Sequence, residues 1–276
     1  MISDLPLVSI ITPVYNGSKF LDELIESVRN QDYPNVQHIV IDDGSMDNGA
    51  TVAILKQHPH LNWWSRANCG QYPTQNEGLK AARGVIVCFI SADDLMVPGA
   101  IRNAVEYLRS RPNRDAVFGN YLSMDEQGKL LVQFHPFRHV PARFYPYTHH
   151  ICHASLYIYR NFLVKNQLWF NDSLHYVGDY EWIIRILKNG GRIDHIRAPL
   201  SKIRIHAGQA TQVHYVAMKR ETIEVQKQQG ISLLINSVIR KIMFVVRVLN
   251  ELVNNGPMAV IKVLILRLEI VFGRRN

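Results

Sequence analysis

The sequence predicts an α/β fold built on a largely parallel, doubly wound sheet, and three observations carry that expectation. Residues 8–11, 38–41 and 85–90 are short, continuous apolar runs rich in β-branched side chains, the pattern of strands buried on both faces. Amphipathic segments at helical spacing stand between them, which makes the connections right-handed crossovers rather than hairpins. Two of the runs end in paired acids, Asp42-Asp43 and Asp93-Asp94. Ligands on such sheets bind beyond the carboxyl ends of the strands, so the acids stand where a ligand would be met.

Taken in order, the first strand ends in Thr12-Pro13, and Asn16-Gly17-Ser18 supplies a turn and cap. Leu21, Leu24, Ile25 and Val28 then recur on one helical face. The second strand closes at Asp42-Asp43-Gly44-Ser45, and Trp63 and Trp64 mark a third. A helix is expected over 73–82, a strand over 85–90, and a helix started by Pro98 with Ile101, Ala104, Val105 and Leu108 on one side. Beyond residue 112 the pattern changes. Residues 116–121 and 130–134 read as a hairpin turning at Gln127-Gly128-Lys129. Residues 135–153, rich in His, Pro and Tyr, have no period and read as an ordered loop over a site. A helix over 179–188 turns Trp182, Ile183, Ile186 and Leu187 inward and stops at Gly190-Gly191, and 192–205 is a further strand.

Composition narrows the function classes. The chain has 276 residues, 47% hydrophobic and 20% charged, enough for one full-sized core. Three cysteines, Cys69, Cys88 and Cys152, lack metal-ligand spacing, and their odd number argues against a disulfide framework, so a reducing, cytoplasmic setting fits. Residues 1–16 carry neither a basic region nor a long apolar run, and no signal peptide is expected. The net charge of +8 is concentrated at one end: residues 219–276 hold ten Lys or Arg and four Glu, a net +6. There it coincides with an apolar helical stripe through Leu234, Ile235, Val238, Ile242, Val245, Val246, Leu249 and Val253. Charges interrupt every stretch before it reaches the roughly 18–20 residues a bilayer span needs. Two readings remain for this tail. It is a basic amphipathic pair of helices lying on an anionic membrane surface, or a hairpin packed on the catalytic domain or on another subunit.

Six segments, VSIITPVYNG, IVIDDGSMD, NEGLKAARG, FISADD, GDYEWIIR and RIHAGQAT, stand in an order and spacing that resemble the family 2 glycosyltransferases, over residues 8–211. The resemblance implies a GT-A-like, Rossmann-related, mostly parallel sheet flanked by helices over 1–215, to which the tail adds an amphipathic helical extension over 216–276. The resemblance also implies an inverting transfer from a nucleotide-sugar to a glycan or lipid-linked acceptor in surface polysaccharide synthesis, and the basic tail favours the inner face of the membrane, without nucleic acid. Such chemistry must neutralise charge developing on a leaving nucleoside diphosphate, commonly with a hard cation held by carboxylates.

By similarity Asp94 contacts a Mn2+ or Mg2+ ion and Asp93 the ribose or the metal shell, with Ser91 where relatives often carry another Asp. An Asp pair capping a turn is the plain alternative. Asp43 is implied as the nucleobase partner, with Thr12, Pro13 and Tyr15 lining the pocket. A carboxylate accepts from the imide N–H of uracil, which favours a UDP donor. Asp42 then orders the turn, Asp47 caps the next helix, and Tyr15 is equally readable as core. Asp179 matches the position of the general base, although Gly178 replaces the acidic residue usual before it; Glu181 is the fallback base, and an N-cap role for Asp179 stays open. His206 is implied near the metal or diphosphate, against a purely structural role. Arg66 and Gln71 stand where relatives contact the donor, and Asn76 reads as a brace. His149, His150, Cys152 and His153 lack the second ligand pair of a zinc site. They read as a gating or acceptor-side loop, with His149 and His150 as surface residues and His153 at the site. A nucleotidyltransferase and a non-catalytic basic binding module are the competing classes. The first lacks a glycine-rich phosphate loop after the opening strand, and the second leaves the strand-end acids without a purpose.

Overall fold

The computed structural model describes residues 5–134 and 144–232, together with individual positions from 237 to 252. Its first half follows the predicted alternation. The strands β1 (Val8–Val14), β2 (Val36–Asp42), β3 (Asn62–Ser65) and β4 (Ile86–Phe89) are separated by α1 (Leu21–Arg29), α2 (Ala50–Lys56) and α3 (Gln71–Ala81). All pairings among these four strands are parallel, with β1 between β2 and β4. Helix α3 begins two residues before the expected start. Pro73 therefore lies in its first turn, where a missing N–H costs nothing.

The second half is mixed. It comprises β5 (Leu95–Met96), α4 (Ala100–Ser110), the hairpin β6 (Ala116–Met124) and β7 (Leu130–Phe134), α5 (Tyr145–Thr148), β8 (Leu156–Tyr159) and α6 (Arg160–Lys165). Then follow α7 (Gly178–Lys188), β9 (Ile193–Arg204), α8 (Ala210–Val213) and α9 (Tyr215–Gln228). The sheet order is β3-β2-β1-β4-β8-β6-β9-β5, with β7 added to β6. Strand β8 runs antiparallel to both β4 and β6, whereas β9 is parallel to β6.

Each central strand alternates between two cores. Ile10, Val40, Ile86 and Cys88 face α1 and α4, while Ile11, Ile39, Ile41, Val87 and Phe89 face α3 and α7. That is why these strands read as continuous apolar runs. Gly78 of α3 permits the close approach on the second face, since an added Cβ would lie 2.4 Å from an Ile11 methyl.

Of the loop expected over 135–153, residues 135–143 lie outside the described residues, and the remainder is ordered into α5 and a 3-10 turn, His153–Ser155. Most of the predicted tail, including Leu234, Ile235, Val246 and Val253, also lies outside them. Helix α9 is joined to the body of the domain: Val225 is buried in the α7 core, and the Glu221 carboxylate accepts the backbone N–H groups of His175, Tyr176 and Val177 at 2.7–2.9 Å. Among the described residues no helix is long and apolar enough to cross a membrane.

Candidate active site

The carboxyl ends of β1, β2 and β4 open onto a cleft of about 1280 Å³, closed on its far side by the loop before β8, the start of α7 and the segment after β9. Pro13, Tyr15, Asp43, Gln71, Asp93, Asp94, Asp179 and His206, eight residues singled out from the sequence, line it together.

Asp43 follows β2 directly. Its Oδ1 accepts the Arg66 guanidinium and the Cys69 N–H, and its Oδ2 accepts the Gly70 N–H at 2.9 Å. The return segment reaches it because Gly44 sits at φ +73°, and a Cβ there would meet Asn68 N at 2.7 Å. A carboxylate offers about four lone-pair sites, so one on Oδ2 remains for a ligand. Asp42 faces inward and ties the turn, accepting from Ser45 N at 3.1 Å and from the Ser65 hydroxyl. Asp47 caps α2 through Thr51 N and the Thr51 hydroxyl.

Two expectations for this wall are corrected. Thr12 does not line the cleft: it is fully buried, its hydroxyl 3.2 Å from His38 Nε2, because alternation turns it into the sheet while Pro13 faces out. Arg66 lies behind the wall, bonded to Asp43, Glu77 and the Thr74 hydroxyl. Tyr15 is 44% exposed and is not core.

The second acid pair is built differently. The short ladder of β5 on β9 pins the loop after β4, pairing Leu95 with Lys202 and Met96 with Ser201. Asp94 is 4% exposed, and its Oδ1 accepts the Arg204 N–H at 3.0 Å. Burial pushes its carboxyl well above the usual carboxylate range, the charge of Asp93 adds to this, and Arg204 offsets it only in part. Asp93 Oδ2 lies 3.1 Å from His206 Nε2. Beneath both, Arg204 is fully buried; its guanidinium donates to Asp93 O, Glu126 O and the Glu23 carboxylate and lies 4.4 Å from the centre of the Phe20 ring. The sequence shows Arg204 only as a neighbour of His206. Its structural role comes from contacts with α1 and the β6–β7 hairpin, which no local pattern announces.

The residues that could serve a hard cation are Asp93 with His206, which meet, and the adjacent Asp94, whose carboxyl is raised chiefly by burial. Among the described residues no group of three or more His, Cys, Asp or Glu side chains would hold a metal by itself, zinc-type clusters included. Diphosphate and water oxygens would therefore have to complete a shell.

Asp179 stands across the cleft as the second residue of α7, with 31% of its side chain exposed. Burial alone would raise its carboxyl. The His153 hydrogen bond and charge, with the Tyr180 N–H and His149, outweigh burial and hold it below the usual value. His153 Nδ1 is 3.2 Å from Asp179 Oδ2. Glu181, the alternative base, is excluded by geometry: two residues on a helix turn it away, and its carboxylate is buried against Arg185 Nε at 2.7 and 2.9 Å.

Gly178 has a structural reason as well. A Cβ there would lie 2.6 Å from the Tyr72 ring, which is itself buried and lines the cleft, so the ring occupies the place of an acidic side chain. Asn76 braces this side, its amide bonded to Phe170 N and O and to Asp172.

Of the two histidines read as surface residues, His149 is exposed, stacks on Tyr180 at 4.0 Å and lines the cleft, whereas His150 is buried and its imidazole pKa is lowered by burial to about 4. Cys69, Cys88 and Cys152 are free.

Comparison with known proteins supplies the family. Residues 9–168 match the model of Glycosyl transferase family 2. An uncharacterized glycosyltransferase of Rickettsia typhi is 31% identical over 213 residues, covering 75% of this chain and 66% of the relative. Among solved structures, S. aureus TarS in complex with UDP-GlcNAc aligns with a TM-score of 0.66 at 20% identity, over 79% of this chain and 65% of TarS. The mannosyltransferase PcManGT from Pyrobaculum calidifontis, in complex with GDP-Man and Mn2+, aligns at 0.55 and 20% identity, over 79% of this chain and 62% of its own. The chain thus spans about two thirds of the length of these relatives. The six ordered segments, the cleft at the strand ends and the match over more than half of the chain agree: this protein belongs to glycosyl transferase family 2 and has the GT-A fold.

Proposed function

We propose that the protein is an inverting glycosyltransferase that moves a sugar from a nucleoside-diphosphate sugar onto a hydroxyl of a glycan or lipid-linked glycan, in surface polysaccharide synthesis. The observation that carries this reading is that Asp43, Asp93, Asp94, Asp179 and His206 line a single cleft. The free lone pair on Asp43 suits the imide N–H of uracil, and TarS was solved with a uridine nucleotide-sugar, so UDP is the favoured carrier.

In the proposed step Asp179 takes the proton from the acceptor hydroxyl, and that oxygen attacks the anomeric carbon. The bond from this carbon to the diphosphate breaks on the opposite face, and its electron pair leaves with the nucleotide. Asp94, with Asp93 and His206, would hold a Mn2+ or Mg2+ ion, whose chemistry is to neutralise the leaving diphosphate. The low-lying carboxyl of Asp179 keeps it ionised and ready to accept a proton at neutral pH.

We infer a catalytic unit over 1–215 and a membrane-surface extension over 216–276, whose first helix braces α7. The exposed apolar side chains of Val238, Ile242, Val245, Leu249 and Leu252 recur at helical spacing in a basic segment, which supports contact with the inner face of the cell membrane rather than packing on the domain. The nucleotidyltransferase alternative has no support from the family match.

The test pairs binding with turnover. UDP titrated calorimetrically into the full chain should bind in a Mn2+-dependent manner, and Asp179→Asn should bind it equally well. With UDP-GlcNAc as donor, that variant should lose about 10²- to 10⁴-fold in turnover, the usual worth of a positioned base. No binding of UDP or GDP with Mn2+ would leave a non-catalytic binding module as the better account.

A further inference from the structure

The geometry points to His153 as the positioning residue of the Asp179 base, its Nδ1–H donating to Asp179 Oδ2 and fixing the carboxylate in the cleft. This rests on the reading of Asp179 as the base. The proton assignment follows from chemistry: an ionised carboxylate only accepts, so the nitrogen 3.2 Å away must donate.

Three observations support the role. His153 is carried on the most firmly anchored part of the far wall. Directly after it, Ala154 and Ser155 are fully buried, the Ala154 carbonyl accepts from Cys88 Sγ at 3.8 Å, and the Ser155 hydroxyl meets Ser201 Oγ at 2.6 Å and Asn120 O at 3.4 Å. One short turn is thereby fixed to β4, β6 and β9, and its imidazole cannot drift from α7.

The ring's orientation also has a single polar explanation. Nε2 is buried and has no hydrogen-bond partner among the described residues, so the contact with Asp179 alone accounts for how the ring is turned. Leaving one ring nitrogen unpaired is costly, which is the expense of a functional constraint rather than of packing.

The remaining titratable groups around Asp179 cannot substitute for His153. Tyr72 and Tyr145 are held well above their ordinary values, chiefly by burial and then by the Asp179 charge, and the Cys152 thiol is pushed up by burial to about 12. All three stay neutral. His149 faces Asp179 as well but is committed to stacking on Tyr180. Without His153, burial would be opposed only by the Tyr180 N–H and His149, the smaller of the groups that lower the carboxyl.

The test uses the full chain with aspartate labelled at the side-chain carboxyl carbon and followed by NMR as pH is varied. The Asp179 signal is identified by its disappearance in Asp179→Asn. It should titrate below the ordinary aspartate range in wild type and move upward in His153→Phe. His153→Asn, which keeps an N–H near the Nδ1 position, should lie between and secures the comparison if the phenylalanine variant fails to fold.

In parallel, UDP-GlcNAc turnover by His153→Phe should fall about tenfold or more, on the scale seen when an orienting partner is removed. The acid limb of its pH profile should shift upward, with Mn2+-dependent UDP affinity unchanged. An Asp179 titration identical in wild type and in His153→Phe, or in His153→Asn where the former does not fold, would overturn the assignment. So would an equal loss of turnover at every pH. If Asp179→Asn itself turned over UDP-GlcNAc at the wild-type rate while His153 still shifted the Asp179 titration, the base assignment would fail and the pairing would stand.

Discussion

Asp42-Asp43 and Asp93-Asp94 are the same dipeptide at the ends of two parallel strands, yet the protein treats them in opposite ways. The first pair is satisfied from within: Asp43 receives one guanidinium and two backbone N–H groups, and Asp42 a backbone N–H and a hydroxyl. In the second pair, Asp94 has a single backbone N–H donor and a neighbouring negative charge, and its carboxyl is driven upward. The difference lies in what the neighbouring segments supply. Beside β2, the segment after β3, from Arg66 to Gly70, folds over Asp43 and offers donors. After β4 the chain is clamped to β9, and the Arg204 guanidinium gives its donors to Asp93 O, Glu126 O and Glu23, reaching Asp94 only through its charge and its backbone N–H. A carboxylate whose charge is met by the protein shapes a binding wall. In one whose charge is not met, burial drives the carboxyl upward.

The contrast can be broken most directly at Asp94. Asp94→Asn should lower turnover by about 10²- to 10³-fold, the scale of losing a charge-stabilising group, and should abolish the Mn2+ dependence of UDP binding in calorimetry. It should do so without lowering the urea midpoint of the metal-free protein, because it removes a poorly compensated buried charge. A variant that binds UDP with Mn2+ like wild type would erase the distinction between the pairs.

Asp43→Ala should behave in the reverse sense. It strands Arg66 and the N–H groups of Cys69 and Gly70, and should cost about 3 kcal/mol of stability in urea unfolding, with Arg66→Met in the same chain recovering part of it. Equal stability of Asp43→Ala and wild type would mean that the donors around it find other partners.

The smallest effect sharpens the picture of the strand that carries Asp42. His38, on β2, is fully buried, and its pKa is lowered to about 3, chiefly by burial. Below about pH 6.5 the unfolded chain takes up a proton that the folded chain refuses, so the unfolded state binds more protons and stability falls as pH falls. The loss approaches about 1.4 kcal/mol per pH unit from this group until the folded pKa is reached. Urea midpoints measured between pH 7 and 5 should show this slope, and His38→Gln should flatten it. An unchanged slope would assign the acid sensitivity elsewhere, His150 being the next candidate.

Much of the site was legible in the residues because the signals are local. An apolar run of β-branched side chains specifies a buried strand, and an acid directly after it stands at the strand's carboxyl end whatever else the fold does. Asp43, Asp93 and Asp94 were placed that way and Asp179 by its motif, and all four line the cleft. The misplacements share one cause. Thr12 and Pro13 are neighbours, and only the pleat decides which of them faces the cleft. Arg66 reads as a donor contact from its segment, but the close packing of Gly44 on residues 66–68 delivers it to the back of Asp43.

The sequence by itself determined the strand and helix alternation, the position of the acids and the family, since the first two rest on local periods and motifs and the third on six such motifs in order. Tertiary structure alone decided that Arg66 neutralises Asp43, why residue 178 is glycine beside Tyr72, and that His153 meets Asp179. Those outcomes depend on contacts between residues 23 to 106 apart in the chain, where sheet register and helix packing set distances that no local pattern records.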